Sequence, residues 1–300
     1  MQSVIALGFF DGVHLGHAAL LAAVRKRADA LGLRAVALSF DIHPDTLVRG
    51  RPMPLLSTAA QRERLLLDAG MDEVQLLHFD AAFMHMPWQT FLDDVLIRRF
   101  SARHLVCGDD YRFGDRGAGT AQLLAKACAD RGVGCDIVDK VALDGVTVSS
   151  THIRELLLAG DAGQAARFLG RPYRLTGRVV HGNGLGRTWG TPTANLLPDP
   201  SLLLPKRGVY ITRALCAAGD YAAVTNVGTR PTVDGQGVRV EAWLPDFDGD
   251  LYGQDISLDF YAYARPERKF DSVQALREEI MKNAEQARAF FAARAEREEP

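Results

Sequence analysis

A chain of 300 residues with 47% apolar and 24% charged content has an ordinary globular composition, and its length favours two domains over one. A net charge of −2 gives no general reason to expect a nucleic acid or an anionic membrane as partner. The four cysteines, Cys107, Cys128, Cys135 and Cys216, form no CxxC pair, which fits the reduced thiols of a cytoplasmic protein better than a zinc site or a disulfide framework. No signal-like segment opens the sequence, no apolar run is long enough to span a membrane, and the first strand starts so early that little room is left for a leader.

The apolar run Val4–Leu7 is followed by Gly8-Phe9-Phe10-Asp11-Gly12-Val13-His14-Leu15-Gly16-His17 and then by an Ala- and Leu-rich stretch to Leu31. That order predicts strand, glycine-rich turn, helix. A helix N-terminus offers free N–H groups and partial positive charge, so this turn is a candidate phosphate site, with two imidazoles able to donate. HxxH spacing can also bind a metal, but no obvious third and fourth ligands accompany it, and either histidine taken singly is more readily structural. The helix is expected to stop at Gly32, with Arg25, Lys26 and Arg27 towards its C-terminal end.

Further along, Arg34–Phe40 reads as a buried strand, and Asp41-Ile42-His43-Pro44 as the loop leaving it. Thr58 and Gln61 form a capping box for a helix ending near Gly70. Strands are predicted over 74–77, 104–107 and 135–138, with helices over 87–100 and 120–131. The loop Gly108-Asp109-Asp110-Tyr111-Arg112-Phe113-Gly114 follows the fourth of these strands. Strands alternating with helices imply a parallel sheet covered on both faces, with ligands beyond the strand C-terminal ends. Ser149-Ser150-Thr151-His152-Ile153-Arg154 then opens a helix and offers a second anion site; taken alone, it is better explained by simple capping, and it gains weight only from following the last strand of a nucleotide-type sheet. Neither a P-loop nor a G-x-G-x-x-G fingerprint occurs.

The His14-x-Gly16-His17 turn together with Ser150-Thr151-x-x-Arg154 resembles the HxGH nucleotidyltransferases. The longer match from Gly8 to His17, with Gly108-x-Asp110-Tyr111-x-Phe113-Gly114, resembles one family among them, the bacterial bifunctional riboflavin kinase/FAD synthetases. Phe40-Asp41-Ile42-His43-Pro44 departs from that family, which usually has proline where Ile42 stands. The resemblance implies a Rossmann-like parallel α/β nucleotidyltransferase domain. His14 and His17 would be catalytic there, with Gly8, Phe10, Asp11, Gly16, Asp110, Ser150, Thr151 and Arg154 at its ATP site.

After a short amphipathic helix, Ala162–Leu169, the pattern changes. Alternating runs over 173–180, 209–215, 221–227, 238–244 and 256–264 predict a small antiparallel barrel or sandwich. A long helix over 272–294 closes the chain, with Val273, Leu276, Ile280, Ala284, Ala287 and Phe291 on one face. The division is placed at residues 1–160 and 161–300. The stretch from His181 to Asn195 concentrates the chemistry-bearing residues of this half, with four glycines and Arg187 close together. Its glycines could wrap phosphates, and the neutral oxygens of Thr193 and Asn195 suit Mg²⁺; from glycine content alone a flexible hairpin loop is an equal reading. Gly190-x-Pro192-Thr193-Ala194-Asn195 resembles the riboflavin kinase signature, as do Asn226-x-Gly228-x-Arg230-Pro231-Thr232 and the strand carrying Glu241, although Ala242-Trp243 departs from its usual residues.

The resemblance implies ATP and Mg²⁺ as co-substrate and cofactor, and riboflavin, FMN and FAD as substrates and products. Gly182, Gly184, Gly186, Arg187, Gly190 and Pro192 would meet ATP, Thr193 and Asn195 the metal, and Glu241 would be the catalytic base. Two other readings stay open: an HxGH enzyme adenylylating a different substrate, and a non-enzymatic protein retaining a degenerate nucleotide fold.

Overall fold

A computed structural model describes residues 2–182, 193–232 and 235–298, with only the backbone described for 229–232, 235–238 and 297–298. The chain divides into two compact units, Met1–Ser150 and Thr151–Pro300.

The first unit is built on a parallel sheet of β1 (Ser3–Leu7), β2 (Arg34–Phe40), β3 (Glu73–Leu77), β4 (Ala102–Gly108) and β7 (Gly134–Val138). Two short hairpins, β5 (Arg112–Phe113) with β6 (Gly119–Thr120) and β8 (Ala142–Leu143) with β9 (Val146–Thr147), lie outside it. The order across the sheet is β3-β2-β1-β4-β7, all parallel. Helices α1 (Leu15–Leu31), α2 (Pro44–Arg49), α3 (Ala59–Asp68), α4 (Ala81–Met84), α5 (Trp88–Thr90) and α6 (Ala121–Ala129) lie between the strands. β1 is buried along its whole length, as a central strand covered on both faces must be. One face contributes Ile5, Leu7, Leu105 and Cys107 to a core; the other contributes Val4, Ala6 and Val106 to a second core against α1. This is the period-two alternation of a strand serving two layers.

Three local expectations change. The predicted helix over 87–100 is α-helical only over α5 and then winds as a π-helix, Phe91–Arg99, with the Phe100 N–H donating to the Val95 carbonyl. The wider turn puts Phe91, Leu92, Val95 and Leu96 on one buried face. The last turn of α1 holds no basic residue. Instead Arg25 reaches Asp29 and Asp72, and Arg27 grips Asp136, so these arginines tie the helix to neighbouring segments. The Asp41–His43 loop ends at once, because His43 caps α2 with Pro44 in its first turn. The Thr58–Gln61 capping box and the left-handed Gly32 cap are present.

Helix α7 (Ser150–Ala159) starts at the last residue of the first unit, and in the second unit it and α8 (Ala162–Leu169) precede an antiparallel barrel. Its strands are β10 (Tyr173–Val180), β11 (Thr193–Pro198), β12 (Gly208–Cys216), β13 (Gly219–Thr232), β14 (Gly235–Trp243) and β15 (Asp255–Arg265). They close in the order β10-β11-β14-β13-β12-β15. The seam between β10 and β15 carries a bidentate pair at the register partners Arg174 and Asp259, with nitrogen–oxygen distances of 2.6 and 2.8 Å. β11 is the strand the sequence reading lacked. α9 (Val273–Glu298) buries Ala284, Ala287 and Phe291, but Val273, expected on that face, is 51% exposed.

Leu105 is fully buried in the sheet core. Leu105→Ala is expected to cost about 2–5 kcal/mol, read as lost hydrogen-exchange protection in β1 and β4. Equal loss in the barrel strands would contradict two separate cores.

Candidate active sites

Strand order fixes where the first site lies. From β1 the sheet grows through β2 and β3 on one side and through β4 and β7 on the other. The loops leaving β1 and β4 therefore diverge, opening a crevice at the switch point. The glycine-rich turn leaves β1 there, and the Gly108–Gly114 loop leaves β4.

The turn is held in a costly conformation. Phe10 (φ 58°) and Val13 (φ 40°) are both left-handed, which side chains with a Cβ rarely adopt. Asp11 sits between them, 2% exposed. Its carboxylate accepts the N–H of Leu56 at 2.9 and 3.1 Å and that of Ser57 at 3.1 Å, and the Ser57 hydroxyl in turn accepts from Gly12 N–H at 3.0 Å. Asp11 thus spends its carboxylate on the protein and shapes the turn.

His14 is the N-cap of α1, with Nδ1 accepting the His17 N–H at 3.3 Å. The two imidazoles stack at 3.6 Å between centroids, 13° from parallel, and Phe10 meets His17 edge-on at 5.3 Å. A side chain at Gly16 would lie 3.2 Å from the His14 ring, so glycine lets the imidazole rest on the helix start. Ser150 Oγ donates to the Asp11 carbonyl at 3.0 Å, tying the first residue of α7 to the turn. Thr151 and Arg154 lie one and four residues further along α7, with Arg154 buried.

A cavity of about 1080 Å³ opens beside the turn. Gly8, Phe10, His17 and Asp110 line it, and Asp110 pairs with Lys140 at 3.1 Å. The rest of its wall is aromatic. Phe40, Phe79, Phe83, Phe91 and Phe113 form a chain of ring contacts with centroids 4.9–5.7 Å apart, and Tyr111 stacks on Phe113 at 5.5 Å. These residues come from five segments, so no local motif announces them.

Arg62 was equally hidden in the sequence. It is fully buried on α3, its guanidinium 4.2 Å over the Phe9 ring, and it donates to the Phe40 carbonyl at 2.5 Å. It thereby braces the exit of β1 against the exit of β2. Burial pushes its pKa down, against the opposing pull of Asp11 and Asp41.

The second site lies in the barrel, where a cavity of about 590 Å³ takes in Thr193, Asn226, Arg239, Glu241 and Trp243. Register explains the grouping. Thr193 stands opposite Trp243 and Asn195 opposite Glu241, while Asn226 faces Glu241 from the other side. Glu241 is held by Arg239, and Asn226 Nδ2 donates to Glu267 at 3.1 Å. Asn195 does not line this cavity; its amide lies so close to Gly182 that any side chain there would overlap it. Gly184, Gly186, Arg187, Gly190 and Pro192 lie outside the described residues. Among the described residues, no group of three or more His, Cys, Asp or Glu could hold a metal ion.

The comparisons with known proteins follow this two-site plan. A family model for FAD synthetase matches residues 1–152, and one for riboflavin kinase matches residues 169–291. Proteins named bifunctional riboflavin kinase/FMN adenylyltransferase from Listeria monocytogenes and Pseudomonas fluorescens are 34% and 36% identical. They align with 97% and 98% of this chain and with 93% and 94% of their own lengths. The chain belongs to the bifunctional riboflavin kinase/FMN adenylyltransferase family. The crystal structure of a macrolide-efflux protein from Streptococcus pneumoniae superposes with a TM-score of 0.88 at 34% identity, covering 96% of this chain and 94% of that one. Among the described residues of this family member, no helix is long and apolar enough to cross a membrane.

The loop departing from the family pattern, Asp41-Ile42-His43, carries a pair of its own with His78. His78 Nδ1 meets Asp41 at 2.6 Å, and Asp41 also accepts the N–H of Phe79 and Ile42. Burial pushes the Asp41 carboxyl up, but these hydrogen bonds outweigh it and hold it below its ordinary value; the bond to Asp41 raises the His78 imidazole above 6.5. The imidazole's contribution is therefore complete below its unfolded midpoint and is lost as pH rises through the raised one. In an NMR titration the His78 midpoint is expected above 6.5, and Asp41→Asn should lower it. A midpoint unmoved by Asp41→Asn would contradict the pairing.

Proposed function

We propose that residues 1–160 carry the adenylyl transfer of this family and residues 161–300 its phosphoryl transfer. One chain then takes riboflavin to FMN and FMN to FAD, with ATP as co-substrate in both steps. The observation that carries the division is the separation of the two side-chain sets. His14, His17, Asp110 and Ser150 meet at a sheet switch point, while Thr193 and Glu241 share a barrel cavity.

In the kinase step, Glu241 accepts the proton of the riboflavin 5′-hydroxyl. The oxygen attacks the γ-phosphorus of ATP, the bridging bond to the β-phosphate breaks, and ADP leaves. A carboxylate lining a cavity suits this, since phosphoryl transfer asks mainly for positioning and charge stabilisation. Thr193 and Asn195 fit a Mg²⁺ that arrives with the nucleotide: they stand on one face of β11 and supply neutral oxygens, as a hard cation that keeps several waters prefers. When bound, the cation would neutralise phosphate charge. Gly182, Gly184, Gly186, Arg187, Gly190 and Pro192 are assigned to covering the phosphates, on sequence alone.

In the adenylyl step the FMN phosphate is already a nucleophile, so the site needs no strong base. Its oxygen attacks the α-phosphorus of a second ATP and pyrophosphate departs. His14 and His17, at the positive end of α1, stabilise the charge that develops on the α- and β-phosphates. Asp110 and Ser150 complete the ATP site, and Thr151 and Arg154 are assigned to it on sequence alone, with Gly8, Phe10 and Gly16 giving backbone access and Asp11 shaping the turn. The aromatic wall of the same cavity is a fitting surface for a flat isoalloxazine ring.

The ligands are thus small molecules. The balance of charge supports no nucleic-acid or membrane partner, and four free thiols are consistent with a cytoplasmic location.

His14→Ala is expected to lower FAD formation by at least about 100-fold while FMN still accumulates from riboflavin. Glu241→Ala should do the reverse, losing FMN formation by about 100-fold or more while FAD still forms from supplied FMN. Chromatography of the flavins reads both. Loss of both activities in each folded variant would contradict two separate sites.

A further inference from the structure

The barrel cavity holds four cationic residues among those described: Arg239, Arg265, Arg268 and Lys269. Two of them are committed elsewhere. Arg265 and Arg268 both pair with Glu279 of α9, at 3.1 and 2.6 Å, and Glu279 is 16% exposed. Withdrawing either would weaken the pairing of a largely buried carboxylate. Lys269 is exposed on the segment after β15. Arg239 differs in its partner. It stands two residues before Glu241 on β14, on the same face, and its Nη2 donates to Glu241 Oε1. The Glu241 side chain is 15% exposed and that of Arg239 33%.

The kinase reaction removes that partner's charge. When Glu241 takes the hydroxyl proton it becomes a neutral acid and loses most of its hold on the guanidinium. At the same moment negative charge grows on the transferring phosphoryl oxygens. A guanidinium and a 5′-hydroxyl hydrogen-bonded to one carboxylate are each about 3 Å from it, so the phosphorus under attack lies within one side-chain swing. The planar fork of arginine also matches two phosphoryl oxygens.

We propose that Arg239 is a second catalytic residue of the phosphoryl transfer. It holds Glu241 ionised in the resting site and passes to the phosphoryl oxygens as Glu241 is protonated. The step balances: the proton moves from the hydroxyl to Glu241, the new O–P bond forms, the bond to the β-phosphate oxygen breaks, and its electron pair leaves on ADP. The inference rests on the proposed role of Glu241 and adds to it the group that answers the developing charge.

The test uses the full chain with Arg239→Gln, Arg239→Lys and Glu241→Gln. FMN formation from riboflavin and Mg–ATP is the readout, and FAD formation from supplied FMN reports folding. Arg239→Gln should lower kcat for FMN by about 100-fold, with the riboflavin KM within about threefold and FAD formation unchanged. Arg239→Lys, which keeps the charge but loses the fork, should recover about tenfold of that loss. Riboflavin with Mg–ADP and aluminium fluoride, a mimic of the transferring phosphoryl group, should bind the wild type more tightly than Mg–ADP with riboflavin alone. Arg239→Gln should lose that tightening and keep the affinity for Mg–ADP. A kcat kept within threefold in Arg239→Gln, equal kcat in the Gln and Lys variants, or undiminished tightening each overturns the inference. Glu241→Gln separates the two ideas: if it still makes FMN the base assignment falls, and if it is inactive while Arg239→Gln is active only the arginine falls.

Discussion

The buried carboxylate of Asp11 is the interaction on which the first unit's chemistry depends. Two left-handed residues, Phe10 and Val13, each carry strain of about 1–3 kcal/mol. Hydrogen bonds from backbone N–H groups to a charged, buried acceptor contribute about 1.5–3 kcal/mol each, and Asp11 accepts from both Leu56 and Ser57. The two are of the same size, so one carboxylate can hold the turn in a shape the chain would not choose locally. That shape sets His14 at the cap of α1 and stacks His17 on it. It also leaves the Asp11 carbonyl where Ser150 can reach it. A residue that looks in sequence like a ligand for the nucleotide has its carboxylate engaged by the Leu56 and Ser57 backbone.

Much of this organisation was legible in the chain because it rests on local periodicity and end signals. The bounds of Arg34–Phe40, Ala162–Leu169 and Tyr173–Val180 agree with the structure, and the Thr58–Gln61 box and the Gly32 cap are short-range hydrogen-bond devices. What escaped depends on distant partners. Thr193–Pro198 is a strand because β14 and β10 flank it, although its residues read equally as the tail of a glycine loop. The π-helical winding after Thr90 serves a core whose other members come mainly from β1 to β5 and from α6. Arg62 looks in sequence like one more helix-surface charge in Gln-Arg-Glu-Arg; only the fold shows Phe9 beneath it and the Phe40 carbonyl before it.

The two sites also answer different chemical demands. In the proposed assignment the adenylyl site receives a nucleophile that is already anionic, and its described residues supply a helix N-terminus, stacked imidazoles and an aromatic wall. The barrel site receives a neutral hydroxyl, and there a carboxylate stands in the cavity with a guanidinium beside it. That pairing of reaction to residues is the proposed one and rests on proton accounting; the family models for FAD synthetase and riboflavin kinase match the two halves of the chain.

The central claim, successive transfers at two separate sites, is tested most directly by tracing phosphorus through the wild-type chain. Riboflavin and Mg²⁺ are supplied with ATP labelled at the γ- or the α-phosphate. The account expects γ-label in FMN, and α-label only in FAD, with FMN rising before FAD. Alpha-label entering FMN, or riboflavin left unchanged while added FMN also stays unchanged, would contradict it.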